Sequence, residues 1–168
     1  IGIMPVPPSR LASAPLPTGQ WDILLSRASL NALARHLRYS GESIQNRFDL
    51  STCIQRKLPA VDEWIDDCVE ALAPALHATL CVVDVPTIVL DADVDSGLLD
   101  TLLERLQAAM TATVPEARSV PALVRGSFGS DAGAIGAATL PMFFNFSPNA
   151  GLLQSASAKS KEVNHAHA

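Results

Sequence analysis

Apolar residues recur at three- and four-residue spacing through three long stretches of this chain, and each stretch predicts an amphipathic helix. The strongest runs from Val61 to Val83, where Val61, Trp64, Ile65, Cys68, Val69, Leu72, Leu76, Leu80 and Val83 form one nearly unbroken stripe. A helix with that stripe belongs at the centre of the core, and Pro74 within it removes a ladder hydrogen bond and predicts a kink. A second helix is predicted from Trp21 to Arg38, where Ile23, Leu24, Leu30, Leu33, Ala34 and Leu37 recur and Ser26 or Ser29 is placed to cap the main part. The third, about Ser96 to Thr113, carries Leu98, Leu99, Leu102, Leu103, Leu106 and Met110 and stops before Pro115. A shorter helix is expected from about Ser43 to Phe48, ending before Thr52, followed by a solvated face carrying Arg47, Arg56 and Lys57.

Between and beyond these helices the pattern changes. Thr87 to Leu90 is a short β-branched apolar run bounded by Pro86 and Asp91, which predicts a strand buried on both faces. Ala122 to Val124 predicts a second strand. It leads through Gly126 and Gly129 into a helix from Asp131 to Phe144, with Ser130 or Asp131 as its cap. Within that helix Gly133, Ala134, Gly136, Ala137 and Ala138 leave one face nearly bare. Glycine in a helix costs about 1 kcal/mol relative to alanine, so close packing against a sheet is expected, with phosphate binding as the alternative. From residue 61 on, the order helix, strand, helix, strand, helix predicts an α/β fold with a parallel strand pair joined by a right-handed crossover. The prolines of residues 1–20 predict an extended, irregular segment in which Ile3, Met4 and Val6 add a short edge strand. The division expected is therefore an extended segment 1–20, a helical segment 21–57, an α/β core 58–150 and a flexible tail 151–168.

Composition narrows the function classes. At 168 residues and 48% apolar content the chain can bury the core of one domain. A net charge of -5 argues against a nucleic-acid surface on this chain, because phosphate binding runs on Lys and Arg. Cys53, Cys68 and Cys81 have no metal-ligand spacing, and Cys68 and Cys81 read as reduced core thiols of a cytoplasmic protein. No run of 18 apolar residues predicts a membrane span and no signal peptide is legible. The opening Ile1-Gly2-Ile3-Met4 reads as the inside of a longer sequence.

Chemistry-bearing candidates are few. Asp62, Glu63, Asp66 and Asp67 crowd the start of the central helix, where they favour the helix dipole; paired acids are also the raw material of a catalytic or metal site. Asp91-Ala92-Asp93-Val94-Asp95 forms an acidic loop just beyond the predicted strand, where open α/β sheets place ligands, although Asp95 or Ser96 also suits a cap for the next helix. With Gly126 from the neighbouring turn, Asp91 and Asp93 are the candidate ligand-binding residues. His77 reads as a packed or surface histidine, and His165 and His167 alternate without a third ligand. There is no Walker loop, nucleophile elbow or Ser/His/Asp set, so no catalytic, cofactor-binding or metal-binding residue is assigned.

Three segments carry a family resemblance. Val83-Asp84-Val85-Pro86-Thr87-Ile88-Val89-Leu90 after the long helix, Ser127-Phe128-Gly129-Ser130-Asp131-Ala132-Gly133-Ala134-Ile135-Gly136-Ala137-Ala138 near the end, and Ile1-Gly2 at the front are in question. They resemble, in turn, the "n-x-x-x-P" turn before an "i-v-l-G-G" strand, the closing "l-G-x-x-A-g-x-x-G-A-A" helix, and the end of the "E-x-G-H" motif of the ROK family. That family comprises bacterial sugar kinases and sugar-responsive transcriptional repressors, and the likeness covers its C-terminal half up to about residue 148. The resemblance implies the second lobe of an actin-like, ribonuclease-H-like ATPase fold, with helices on a small, mostly parallel sheet. The chain departs from the family where chemistry would sit. Ile3 stands in the place of a histidine that binds zinc and sugar, the proline-rich Pro5 to Pro17 segment replaces a cysteine-rich zinc loop, and Asp91-Ala92-Asp93 replaces the glycine pair beside the nucleotide. Those departures lean against an enzyme. The function expected is the effector-binding and dimerisation part of a ROK-type regulator, answering to a sugar or sugar phosphate, with DNA contacted only through a region outside this chain. The alternative is an ATP-dependent hexose kinase whose catalytic lobe is elsewhere. Family likeness and the apolar helices together lead us to expect a homodimer.

Overall fold

The computed structural model describes residues 1–15, 19–113 and 119–146. It divides into two units, Ile1–Ser127 and the residues from Phe128 on.

The first unit begins with β1 (Pro5–Val6) and β2 (Asp22–Ile23), an antiparallel pair with Pro5 opposite Ile23. There follow α1 (Leu24–Arg27), α2 (Leu30–Tyr39), α3 (Arg47–Gln55), α4 (Pro59–Leu80), β3 (Thr87–Leu90), α5 (Ser96–Thr113) and β4 (Ala122–Arg125). β3 and β4 are parallel, from Thr87 opposite Ala122 to Leu90 opposite Arg125, and α5 joins them, so the expected βαβ unit is present. The architecture is mixed α/β with a small parallel sheet.

Helix α4 is the axis of this unit, packing against α1, α2, α5 and β1. Its Trp64, Ile65, Cys68 and Val69 meet Leu33 and Leu37 of α2 and Leu98, Leu102, Leu106 and Met110 of α5 in one buried cluster. The stripe legible in the sequence is therefore the core face. Pro59 starts the helix, where its missing N–H has no intrahelical partner to lose.

Several sequence expectations need correction. The stretch from Trp21 to Arg38 is not one helix but β2, a single turn of α1, and α2. The break falls at Ser29, whose backbone is extended and whose Oγ accepts the Ala32 N–H at 3.2 Å. The helix expected at 43–48 instead begins at Arg47, because Asn46 and Asp49 form a reciprocal capping box there. Within the first unit the strand at 87–90 turns one face to the core: Ile88, Leu90 and Leu123 pack towards it while Val89 is 62% exposed. Four apolar residues in a row do not reveal how many faces are covered. Cys81 is exposed, against the expectation of a core thiol, whereas Cys53 and Cys68 are buried. Burial, with the adjoining Asp67 charge, pushes the Cys68 thiol up to about 12, so it stays protonated as a packing group.

The proline-rich beginning has almost no secondary structure, and polar anchors fasten it. Arg27 is fully buried, with its Nε 3.1 Å from Asp67 Oδ2 and its Nη2 2.7 Å from Asp67 Oδ1. The same guanidinium donates to the Asp67 carbonyl at 2.9 Å and to the Pro7 carbonyl at 2.7 Å. Ser9 completes the clamp, its hydroxyl donating to Asp67 at 2.7 Å and its N–H to Asp22 at 3.1 Å. Trp64 Nε1 donates to the Arg27 carbonyl at 3.0 Å, which ties the clamp to the core. Further along, Ser13 Oγ lies 2.8 Å from His36 Nδ1, and His36 Nε2 lies 3.0 Å from Glu63. Val6 is the apolar anchor, seated with Leu24 on Ala71 and Ala75 of α4.

The second unit is described by itself. A 3-10 turn at Gly129–Asp131, with Gly129 at φ +50, leads into α6 (Ala132–Phe146). No side chain of α6 is buried, and a Cβ added at Gly133 or Gly136 would meet nothing within 4 Å.

Removing one member of a buried ion pair leaves the other uncompensated, which costs about 3–5 kcal/mol. Arg27→Ala is therefore expected to lower the unfolding free energy by about that amount in urea titration, with Arg27→Met/Asp67→Leu recovering part of it. A loss below about 1 kcal/mol for Arg27→Ala would remove the clamp from its structural role.

Candidate functional site

β3 and β4 end side by side, so their outgoing loops leave the sheet together. The Gly126 N–H donates to the Leu90 carbonyl at 2.6 Å, carrying the ladder one residue past the strands. A Cβ built on Gly126 would lie 2.5 Å from both Cβ and Cγ of Asp91. Glycine is required there because the Asp91 side chain occupies the space. The structure thus brings two of the candidate ligand-binding residues, Asp91 and Gly126, into contact with each other.

Asp93 is engaged from another direction. The Arg47 guanidinium, at the start of α3, donates to the Asp93 carbonyl and pairs with its carboxylate. Asp95 serves as the cap of α5, its Oδ1 accepting the N–H groups of Gly97 at 2.9 Å and Leu98 at 3.3 Å. Arg125 closes the other side, reaching both carboxylate oxygens of Asp100 at 2.9 and 3.0 Å.

Next to this loop is a groove of about 570 Å³ between the end of α3 and the first turns of α4 and α5. Gln55, Lys57, Asp62, Asp95, Thr101 and Arg105 supply its polar lining, over Val61, Ile65 and Leu98. Arg105 is held on the rim by Asp66 at 2.7 Å and Asp62 at 2.6 Å; those hydrogen bonds raise its already high pKa. Lys57 sits just past α3 at φ +51, in the left-handed position that usually ends a helix with glycine. Two further cavities lie away from this end: one of about 660 Å³ around Cys81, Pro86 and Pro121, and one of about 520 Å³ between α4 and α5 around Ala73, Pro74 and Ala109.

The acids at the start of α4 each have a partner on another element. Asp62 and Asp66 hold Arg105 of α5, Glu63 meets His36 of α2, and Asp67 holds Arg27 of α1. They join helices in addition to favouring the dipole. Among the described residues no group of three His, Cys, Asp or Glu side chains is placed to hold a metal ion. His77 Nε2 lies 2.9 Å from Thr113 Oγ1, and the alternating His165 and His167 fall outside the described residues. Among the described residues no helix is long and apolar enough to cross a membrane.

Sequence reasoning missed Arg47, Lys57 and Arg105 as shapers of this end of the fold. For Arg47 a signal existed, the Asn46-Arg47-Phe48-Asp49 cap, which places it at the start of a helix. For Arg105 the only signal was its distance of about one helical face from the apolar stripe of α5, which does not name a partner.

No protein-family model matches this chain, and no curated protein matches its sequence.

The Asp91–Gly126 contact is directly testable. Gly126→Ala is expected to destabilise the fold by about 1–3 kcal/mol through overpacking, and Asp91→Gly in the same chain is expected to relieve most of that loss. Additive effects in the double-mutant cycle would show that the two residues do not touch.

Proposed function

We propose that this chain is the effector-binding and dimerisation part of a ROK-type, sugar-responsive transcriptional regulator. In this reading the β3–α5–β4 unit belongs to the second lobe of an actin-like fold, the protein works in the cytoplasm as a homodimer, and DNA is read by a region outside this chain. The resemblance in the strand and closing-helix segments supplies the family.

The state of the Asp91–Asp93 loop is the observation that most supports a regulator over a kinase. A nucleotide approaching this loop would need bare backbone and positive potential. Here Asp91 fills the space above Gly126, and among the described residues Arg47 is the cation paired with Asp93 and is already committed to it. Two carboxylates at this position repel a triphosphate, while carboxylates accept hydrogen bonds from hydroxyl groups without a charge penalty on the ligand. The loop is poorly suited to ATP.

The protein expressed from its own start codon is expected to bind DNA upstream of its gene and to release it when a sugar is added, without consuming ATP. Transfer of phosphate from ATP to a hexose by that protein would overturn the regulator reading in favour of the kinase.

A further inference from the structure

We infer that the outer face of the β1–β2 pair is the surface through which this chain packs on a second copy of itself. This names the face used by the homodimer proposed above and rests on that reading, but its evidence is separate, because it comes from the side-chain pattern and register of residues 3–25.

Burial alternates along both strands. Val6, Asp22 and Leu24 are buried and Met4 is half-buried, with Met4, Val6 and Leu24 packed on Ala71 and Ala75 of α4, whereas Ile3, Pro5, Pro7, Trp21, Ile23 and Leu25 are exposed. Such alternation assigns one set of side chains to each face of a strand pair. Pro5 stands opposite Ile23 and Val6 opposite Asp22, and the Leu24 N–H donates to the Met4 carbonyl at 2.9 Å, so the same register sets Pro7 beside Trp21. Leu25 joins the patch at its other end. Its N–H donates to the Gly2 carbonyl at 2.8 Å, and a Cβ built on Gly2 would lie 3.7 Å from Leu25 Cβ.

All six outward side chains are apolar, and Ile3 is 83% and Trp21 60% exposed. Single apolar side chains in water are ordinary, but a contiguous group of them marks an interface. Together they present about 600 Å² of apolar surface, against roughly 800 Å² per partner in a stable protein–protein interface, so a modest rim completes the area that a dimer needs. Trp21 supplies the large aromatic anchor on which association energy concentrates. The inner side of the same pair is held by the Arg27 guanidinium through the Pro7 carbonyl and by Ser9 through Asp67, so the face is formed before any partner arrives.

Charge and backbone chemistry select the occupant. At a net charge of -5 two copies repel over much of their surface, yet none of these six side chains is charged. A two-fold pairing sets a patch against its own counterpart, which here brings apolar against apolar and leaves no charge unpaired. A strand of another protein finds no ladder to join along β1, because Pro5, Pro7 and Pro8 have no N–H to donate. The contact is therefore made by side chains, as one sheet packs on another.

The test uses the purified full chain in sedimentation velocity over a concentration series, with iodide quenching of tryptophan fluorescence as a second measurement. Of the two tryptophans Trp64 is buried, so the quenching reports on Trp21. A concentration-dependent dimer is expected, with quenching that falls as it forms. Trp21→Ser/Ile23→Ser should raise the dimer Kd by about tenfold or more, as for the loss of an aromatic anchor and its neighbour. Its melting temperature should match the parent at a concentration where both are monomeric, because both side chains are exposed. A dimer in which Trp21 stays open to iodide, or whose Kd is unmoved by the double substitution, would overturn this face while leaving the homodimer reading intact. A chain that stays monomeric at every concentration would overturn both.

Discussion

The buried Arg27–Asp67 pair is the constraint on which the first unit depends. A charged pair removed from water stabilises only when its remaining hydrogen-bonding capacity is used, and here Pro7, Ser9, Glu70 and the Asp67 carbonyl use it. The consequence is positional. Arg27 ends the one-turn helix α1, Asp67 stands in the first half of α4, and Pro7 and Ser9 belong to the irregular beginning, so one clamp joins three elements. With α1 placed, Ser29 starts α2, which also packs on α4, and α4 packs in addition against α5.

What was legible in the sequence follows from how far each signal reaches. The stripes of α4 and α5 are periodic over four or more turns, and both helices lie within three residues of their expected ends; the βαβ order followed from them. Local competition decided the places that were misread. Apolar residues at Ile23 and Leu24 fit a helical pattern continuous with Leu30, yet Asp22 and Ile23 pair with β1 and Ser29 caps a new start. The capping box at Asn46 overrode a weaker reading of residues 43–48. Partners were the hardest to read. Four acids at the head of α4 are plain in the sequence, but their partners, Arg27, His36 and Arg105, come from three different helices. Spacing along one element carries no information about which side chain stands opposite.

The same limit applies to the site. The acidic loop beyond β3 was expected from the strand and its boundary, and Gly126 was expected as a turn residue and a candidate ligand contact. The structure gives that glycine a different reason, the Asp91 side chain packed against it. The groove had no sequence signal at all, because its lining comes from the end of one helix and the starts of two others.

The clamp of Arg27, Asp67 and Ser9 fastens the proline-rich beginning, and among the described residues no group of three His, Cys, Asp or Glu side chains is placed to hold a metal ion. The most direct test is backbone hydrogen exchange at Ser9, Leu24 and Leu25, whose N–H groups donate to Asp22, Met4 and Gly2 respectively. With a chelator in excess, these amides should remain protected against exchange, with Leu24 and Leu25 approaching the core amides of α4. Exchange at the rate of an open chain, or protection that disappears when the chelator is added, would contradict the account.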